Sequence, residues 1–157
     1  MRRAALTEAL SQLDESVDSQ EAQRLATTAI RRSRELAVSF DVRWPAPIQN
    51  GLVNLGFKER GHCYHYADGL MSALQASNPV TLELHRAIAL QGTWKEHNAV
   101  VVTAKDAPLS QGLVLDAWRY RGELAWNPVE QSCYPWRPVG VYPPGFWEGL
   151  PAWRKAP

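Results

Sequence analysis

The sequence predicts an α+β fold, with helices packed on a mostly antiparallel sheet and an extended tail behind it. Three observations carry that expectation. Apolar residues recur at helical steps from Leu6 to Leu74, the period drops to two after Asn78-Pro79, and from Pro128 the chain becomes rich in Pro, Gly, Trp and Tyr.

Leu6, Leu10, Leu13 and Val17 are spaced by 4, 3 and 4, which draws one stripe along a first helix. Asp18 followed by Glu21 forms a D-x-x-E pattern close to a capping box, so a second helix starts there. Its apolar face reads Ala22, Leu25, Ala26, Ala29, Ile30, Leu36 and Phe40, with Arg24, Arg31, Arg32 and Arg34 mostly turned to solvent. Trp44-Pro45-Ala46-Pro47 cannot continue it, because proline lacks the amide donor and restricts the residue before it. Residues 48–55 permit a short helix closed by Gly56, and another helix follows Gly61-His62-Cys63 with Ala67, Leu70, Met71 and Leu74 as its buried stripe.

Strands come next. Val80, Leu82 and Leu84 alternate with Thr81, Glu83 and His85 in a run that reaches towards Leu90. His97–Thr103, a β-branched run, and the apolar run Gly112–Trp118 are joined by a short polar loop, which predicts an antiparallel pair. Arg121-Gly122-Glu123 marks a turn, and Leu124 opens a short strand towards Trp126. Six prolines between Pro128 and Pro151 bar the tail from a central strand or a long helix, so it is expected to wrap the surface. The organisation expected is one domain over 1–157, comprising a helical segment 1–40, a core 48–126 and a wrapping tail 127–157.

Composition narrows the function. The 157 residues are 45% apolar and 21% charged, and 17 Lys+Arg against 16 Asp+Glu leave a net charge of +1. That is enough apolar material for a core, and no run approaches the roughly 18 apolar residues of a membrane span. Without a basic stripe there is no electrostatic footprint for nucleic acid. Two cysteines are too few for a disulfide scaffold. The first residues, MRRAALTEALSQL, carry two arginines but no apolar core of a signal peptide, so no export signal is read in this chain; one trimmed of a leader would read the same.

Three side chains attract attention. Cys63 stands where a loop becomes a helix, and the unpaired amides and dipole of a helix N-terminus favour a thiolate and can face a developing oxyanion. Buried inert cysteine is the plainer reading of such a residue. His97 opens a strand, where a partly buried ring satisfied by a backbone carbonyl is the plainer reading of the residue taken alone. Asp116 lies in the apolar run Leu113–Trp118, where a carboxylate needs a partner unless it faces solvent at the strand end. If the two strands are neighbours, an imidazole is that partner, and the Asp would orient the ring while its other nitrogen takes the thiol proton.

Cysteine at a helix start, histidine entering a strand 34 residues later and aspartate in the next strand 19 residues after that resemble the transglutaminase-like branch of the papain-like cysteine proteases. The pieces that match are Gly61-His62-Cys63 with Ala67, Glu96–Val102 and Leu115–Trp118, spanning roughly residues 48–120. Tyr64 and Asn98 stand where many members carry Trp after the nucleophile and an aromatic beside the histidine. The resemblance implies a thiol-dependent hydrolase or acyltransferase acting on an amide or ester bond of a peptide or similar substrate. Cys63 would be the nucleophile, His97 the base and acid, and Asp116 the orienting residue, with a thioester intermediate.

The Cys63 amide supplies one oxyanion donor in this scheme, and Asn50, Asn54 and Gln49 are the side-chain candidates for a second. Tyr64, Trp94, Asn98 and Trp118 are candidates for the substrate cleft, though pinning the tail to the sheet is the plainer role for the tryptophans Trp94 and Trp136, with Trp118 the exception because it shares the Asp116 face of its strand. Of Tyr64 and Tyr66, one is expected in the core and the other in solvent. His62 and His65 flank Cys63, but there is no C-x-x-C pair and H-C-x-H fits no structural zinc module, so neither metal nor cofactor is expected. Cys133 is expected as a free, half-buried thiol rather than a disulfide partner of Cys63. Two other readings remain open: a non-catalytic peptide- or glycan-binding module on the same fold, and a papain-like bacterial cell-wall peptide hydrolase.

Overall fold

A computed structural model describes residues 1–40, 63–91 and 95–139. Helices α1 (Arg2–Ser11), α2 (Ser19–Ser39) and α3 (Cys63–Gln75) precede strands β1 (Leu82–Ala89), β2 (His97–Ala104), β3 (Leu113–Tyr120), β4 (Glu123–Pro128) and β5 (Arg137–Pro138). The sheet runs β4-β3-β2-β1-β5 with every neighbouring pair antiparallel. The fold is therefore α+β. No described helix is long and apolar enough to cross a membrane. The expected helix at 48–55 lies outside the described residues.

Strand alternation divides the sheet into two faces. Leu82, Val100, Val102, Leu113 and Leu115 face the helices and join Leu6, Leu10, Leu25, Leu70 and Leu74 in one cluster. Ala87, Ala99, Val101 and Val114 face the other way and are covered by Trp136 and Tyr134. After β4 the chain passes through a short 3-10 turn (Val129–Gln131) and pairs at the opposite edge, Arg137 with Ile88 and Pro138 with Ala87. Residues 132–136 thus cross the face that carries the odd-numbered residues of β2.

Several local signals take unexpected partners. The Asp18 carboxylate caps α2 by accepting from the Glu21 amide at 2.7 Å, but Glu21 does not close the box. Its buried carboxylate accepts from the amides of Val80, Thr81 and Leu82 at 2.9–3.0 Å. The Val80 and Thr81 amides are engaged there ahead of the ladder and β1 begins at Leu82 rather than Val80; it ends at Ala89, and Leu90 adopts φ 53°. The β3–β4 turn has φ 53° at Arg121 and 89° at Gly122, the left-handed pair that a two-residue hairpin demands. A Cβ on Gly122 would lie 2.5 Å from Ala37 Cβ, so this glycine also lets the hairpin close onto α2, where Ser33 Oγ donates to the Gly122 carbonyl at 2.8 Å.

Candidate active site

Cys63 is the first residue of α3, so its amide has no partner within the helix and the positive end of the dipole lies at its side chain. The helix packs against the inner face of β2 and β3, which brings its N-terminus to the rim where β2 begins. There the Cys63 thiol donates to the Glu96 carbonyl at 3.9 Å. His97 and Asn98, the first two residues of β2, point to opposite faces. The Cys63 side chain stands near enough to His97 to favour its imidazolium, and Asn98 Nδ2 donates to Cys63 Sγ at 3.8 Å from the opposite face of β2.

Asp116 lies on the same face as His97. Its Oδ2 accepts from His97 Nε2 at 2.8 Å, which leaves Nδ1 of the ring for the thiol. Three further donors hold the carboxylate: the Trp118 and Arg119 amides reach Oδ1 at 3.0 and 3.2 Å, and Arg119 Nε reaches Oδ2 at 3.2 Å. The local reason is an irregularity in β3 between Asp116 and Tyr120, which turns backbone amides towards the side chain that a regular ladder would point elsewhere. Four donors offset the desolvation penalty that makes a buried carboxylate rare.

The His97 ring is boxed by Trp118, Tyr134 and Trp136, with centroids 5.2, 5.3 and 5.6 Å away, and is 2% exposed. Burial opposes the imidazolium, but the hydrogen bonds and charges of Asp116 and Cys63 outweigh it and push His97 up to about 10. Burial likewise opposes the Asp116 carboxylate, yet its hydrogen bond and charge with His97, followed by Arg119, hold it below the usual carboxylate range. Beside Asp116 a cavity of about 240 Å³ opens towards Asn127, Gln131 and Tyr134.

Of the residues singled out in the sequence, Cys63, His97, Asp116, Asn98 and Trp118 meet here. Tyr64 and Tyr66 are both buried, at 6% and 1%, which corrects the expectation that one would face solvent. The reason is that α3 sits between the sheet and α2, so both flanks of its first turn are covered. Tyr66 stacks edge-on against Phe40 at 4.9 Å, and burial pushes its hydroxyl upward. Tyr64 is packed against His65 at 4.4 Å. Cys133 is a free thiol, but exposed rather than half-buried, because it lies in the loop that crosses above the sheet. Gln49, Asn50, Asn54, His62 and Trp94 lie outside the described residues. Among the described residues no three His, Cys, Asp or Glu side chains cluster as a metal site would require.

Arg119, Tyr134 and Arg86 are additions that the sequence did not single out. Arg86 takes an apolar position in the alternation Leu82, Leu84, Ile88 and carries the same signal as Asp116, a charge in a strand that needs a partner. It is 5% exposed and reaches Asp68 Oδ1 with Nη2 at 3.0 Å and Nε at 3.1 Å. No protein-family model, curated protein or solved structure matches this chain.

Proposed function

We propose that this chain is a thiol-dependent hydrolase or acyltransferase acting on an amide or ester bond, of the transglutaminase-like, papain-like kind. The observation that carries the reading is the His97 ring, held between the buried Asp116 carboxylate at 2.8 Å and the thiol of a cysteine that opens a helix. Each partner supplies what nucleophilic catalysis needs. Asp116 selects the tautomer and steadies the imidazolium, and the ring takes the thiol proton.

The sulfur then attacks the substrate carbonyl carbon, and the carbonyl π pair moves onto oxygen. Collapse of that intermediate restores the carbonyl and expels the amine or alkoxide, which leaves with the proton from His97. Water or an amine attacks the thioester, His97 accepts its proton, and the thiolate departs as the leaving group. Aromatic walls around the ring keep water from competing for its hydrogen bonds.

Iodoacetamide at about pH 6 tests the pair, because only a thiolate reacts and an ordinary thiol is almost wholly protonated there. Cys63 is expected to label much faster than the exposed Cys133, and His97→Ala is expected to remove the difference. Equal rates in the two proteins would reject the thiol mechanism and leave a binding module as the better reading.

A further inference from the structure

We infer that Asn98 supplies the second oxyanion donor and that Arg86 holds it in place; the inference rests on the thiol reading above and assigns a part of the same site. An acyl transfer through Cys63 needs two hydrogen-bond donors aimed at the oxygen of the tetrahedral intermediate. The Cys63 amide is one. A second must come from a side of the sulfur that His97 does not occupy, since the base has to remain in contact with the proton it moves.

Asn98 meets that condition through strand geometry. It follows His97 directly in β2, so the two side chains emerge on opposite faces of the sheet, and Cys63 lies at the rim where both reach it. Asn98 Nδ2 stands 3.8 Å from Sγ and the side chain is 2% exposed, which removes water as a competing partner. A donor at that separation is in long hydrogen-bond reach of the sulfur itself. It can therefore come within about 2.7–3.1 Å of an oxygen carried on the carbon that sulfur attacks.

The amide has a determined orientation. Arg86 Nη1 donates to Asn98 Oδ1 at 3.4 Å, and a guanidinium has donors only, so the carbonyl end must face it and the NH2 end must face sulfur. Glu96 Oε1, an acceptor 3.5 Å from Nδ2, agrees with that choice. Arg86 is itself fixed by Asp68 and by the Tyr64 carbonyl, which Nη2 reaches at 3.5 Å. Asp68 and Tyr64 belong to α3, the helix that carries Cys63. Nucleophile and donor are thus tied to one frame through an ion pair whose Arg86 end is buried and whose Asp68 end is partly exposed, and Arg86 is a positioning residue that acts through Asn98.

Two probes applied to the full chain separate this role from a general one. Iodoacetamide alkylates Cys63 by displacing iodide and creates no oxyanion; p-nitrophenyl acetate acylates it through a tetrahedral intermediate and releases p-nitrophenolate. Asn98→Ala is expected to slow acylation by about 10²–10³-fold, far more than it changes alkylation of the sulfur it also touches. Asn98→Ser, which keeps a polar group but is too short to reach the oxyanion, serves if the alanine variant fails to fold. Arg86→Lys retains a charge for Asp68 and loses the fork, so it should slow acylation in the wild-type background and add nothing to Asn98→Ala. Acylation that is unchanged in the Asn98 variants, or that falls in step with alkylation, overturns the inference while leaving the thiol reading standing. A wild-type chain inert to both probes overturns the thiol reading and this inference with it.

Discussion

At the scale of single residues, the protonation of His97 links the site to stability. An imidazole free in the unfolded chain titrates near 6.5, whereas the folded ring keeps its proton up to about 10. The stabilisation from that difference is complete below 6.5 and is lost as pH rises towards 10. The Asp116 shift has the opposite sense: its contribution is present above the ordinary 3.8 and is lost as pH falls below it. Urea unfolding of the wild type should therefore weaken steadily between neutrality and pH 10, and His97→Gln should flatten that slope. Because Cys63 also favours the imidazolium, Cys63→Ala should move the ring titration, followed by NMR, to lower pH. Asp116 would still hold it above 6.5. A ring titration unchanged by Cys63→Ala would show that sulfur and imidazole are uncoupled.

At the scale of elements, the joint between α2 and β1 is made by one carboxylate. Glu21 gathers three consecutive amides, and Asp18 N donates to Thr81 Oγ1 at 3.0 Å beside it. Hydrogen bonds to a charged acceptor contribute about 1.5–3 kcal/mol each, but three on one group share its charge and do not add in full. Glu21→Ala leaves three amides without that acceptor and should cost about 2–4 kcal/mol in chemical denaturation. Glu21→Gln, which keeps an acceptor but no charge, should cost less. Equal, small losses from both would mean that water replaces the carboxylate freely. The D-x-x-E signal was legible in the sequence and correctly marks the start of α2. Its acidic member could not be assigned locally, because its partners lie about sixty positions away.

At the scale of the whole molecule, the first forty residues belong to the core. Leu6, Leu10, Leu25 and Leu36 are at most 3% exposed and share one cluster with Leu70, Leu74, Leu115 and Leu124. Arg2 ties α1 to the far edge of the sheet, with its guanidinium bonded to the Leu124 carbonyl and lying 5.2 Å from the Trp126 ring centroid. Removing residues 1–40 uncovers that cluster and the face of α3 that meets Leu36, where a Cβ on Gly69 would stand 2.5 Å from the leucine. The truncated chain is expected to lose its cooperative thermal transition and the near-ultraviolet signal of its tryptophans. A sharp transition in the truncated chain would instead make these helices an appended arm.

Taken by itself, the sequence determined the helix and strand periods, the hairpin at Arg121-Gly122 and the residues Cys63, His97 and Asp116 as a set. These are readable because period and turn chemistry are local: they depend on which face a side chain takes and on φ at one or two positions. Tertiary structure decided that Asn98 reaches sulfur from the strand face opposite His97, that buried Arg86 and partly exposed Arg119 supply the cations beside the site, and that Glu21 spans two elements. Each of these depends on strand register, on the irregularity after Asp116 and on where α3 meets the sheet rim. Contacts between groups far apart in sequence follow from how the elements dock, and neither spacing nor composition encodes that docking.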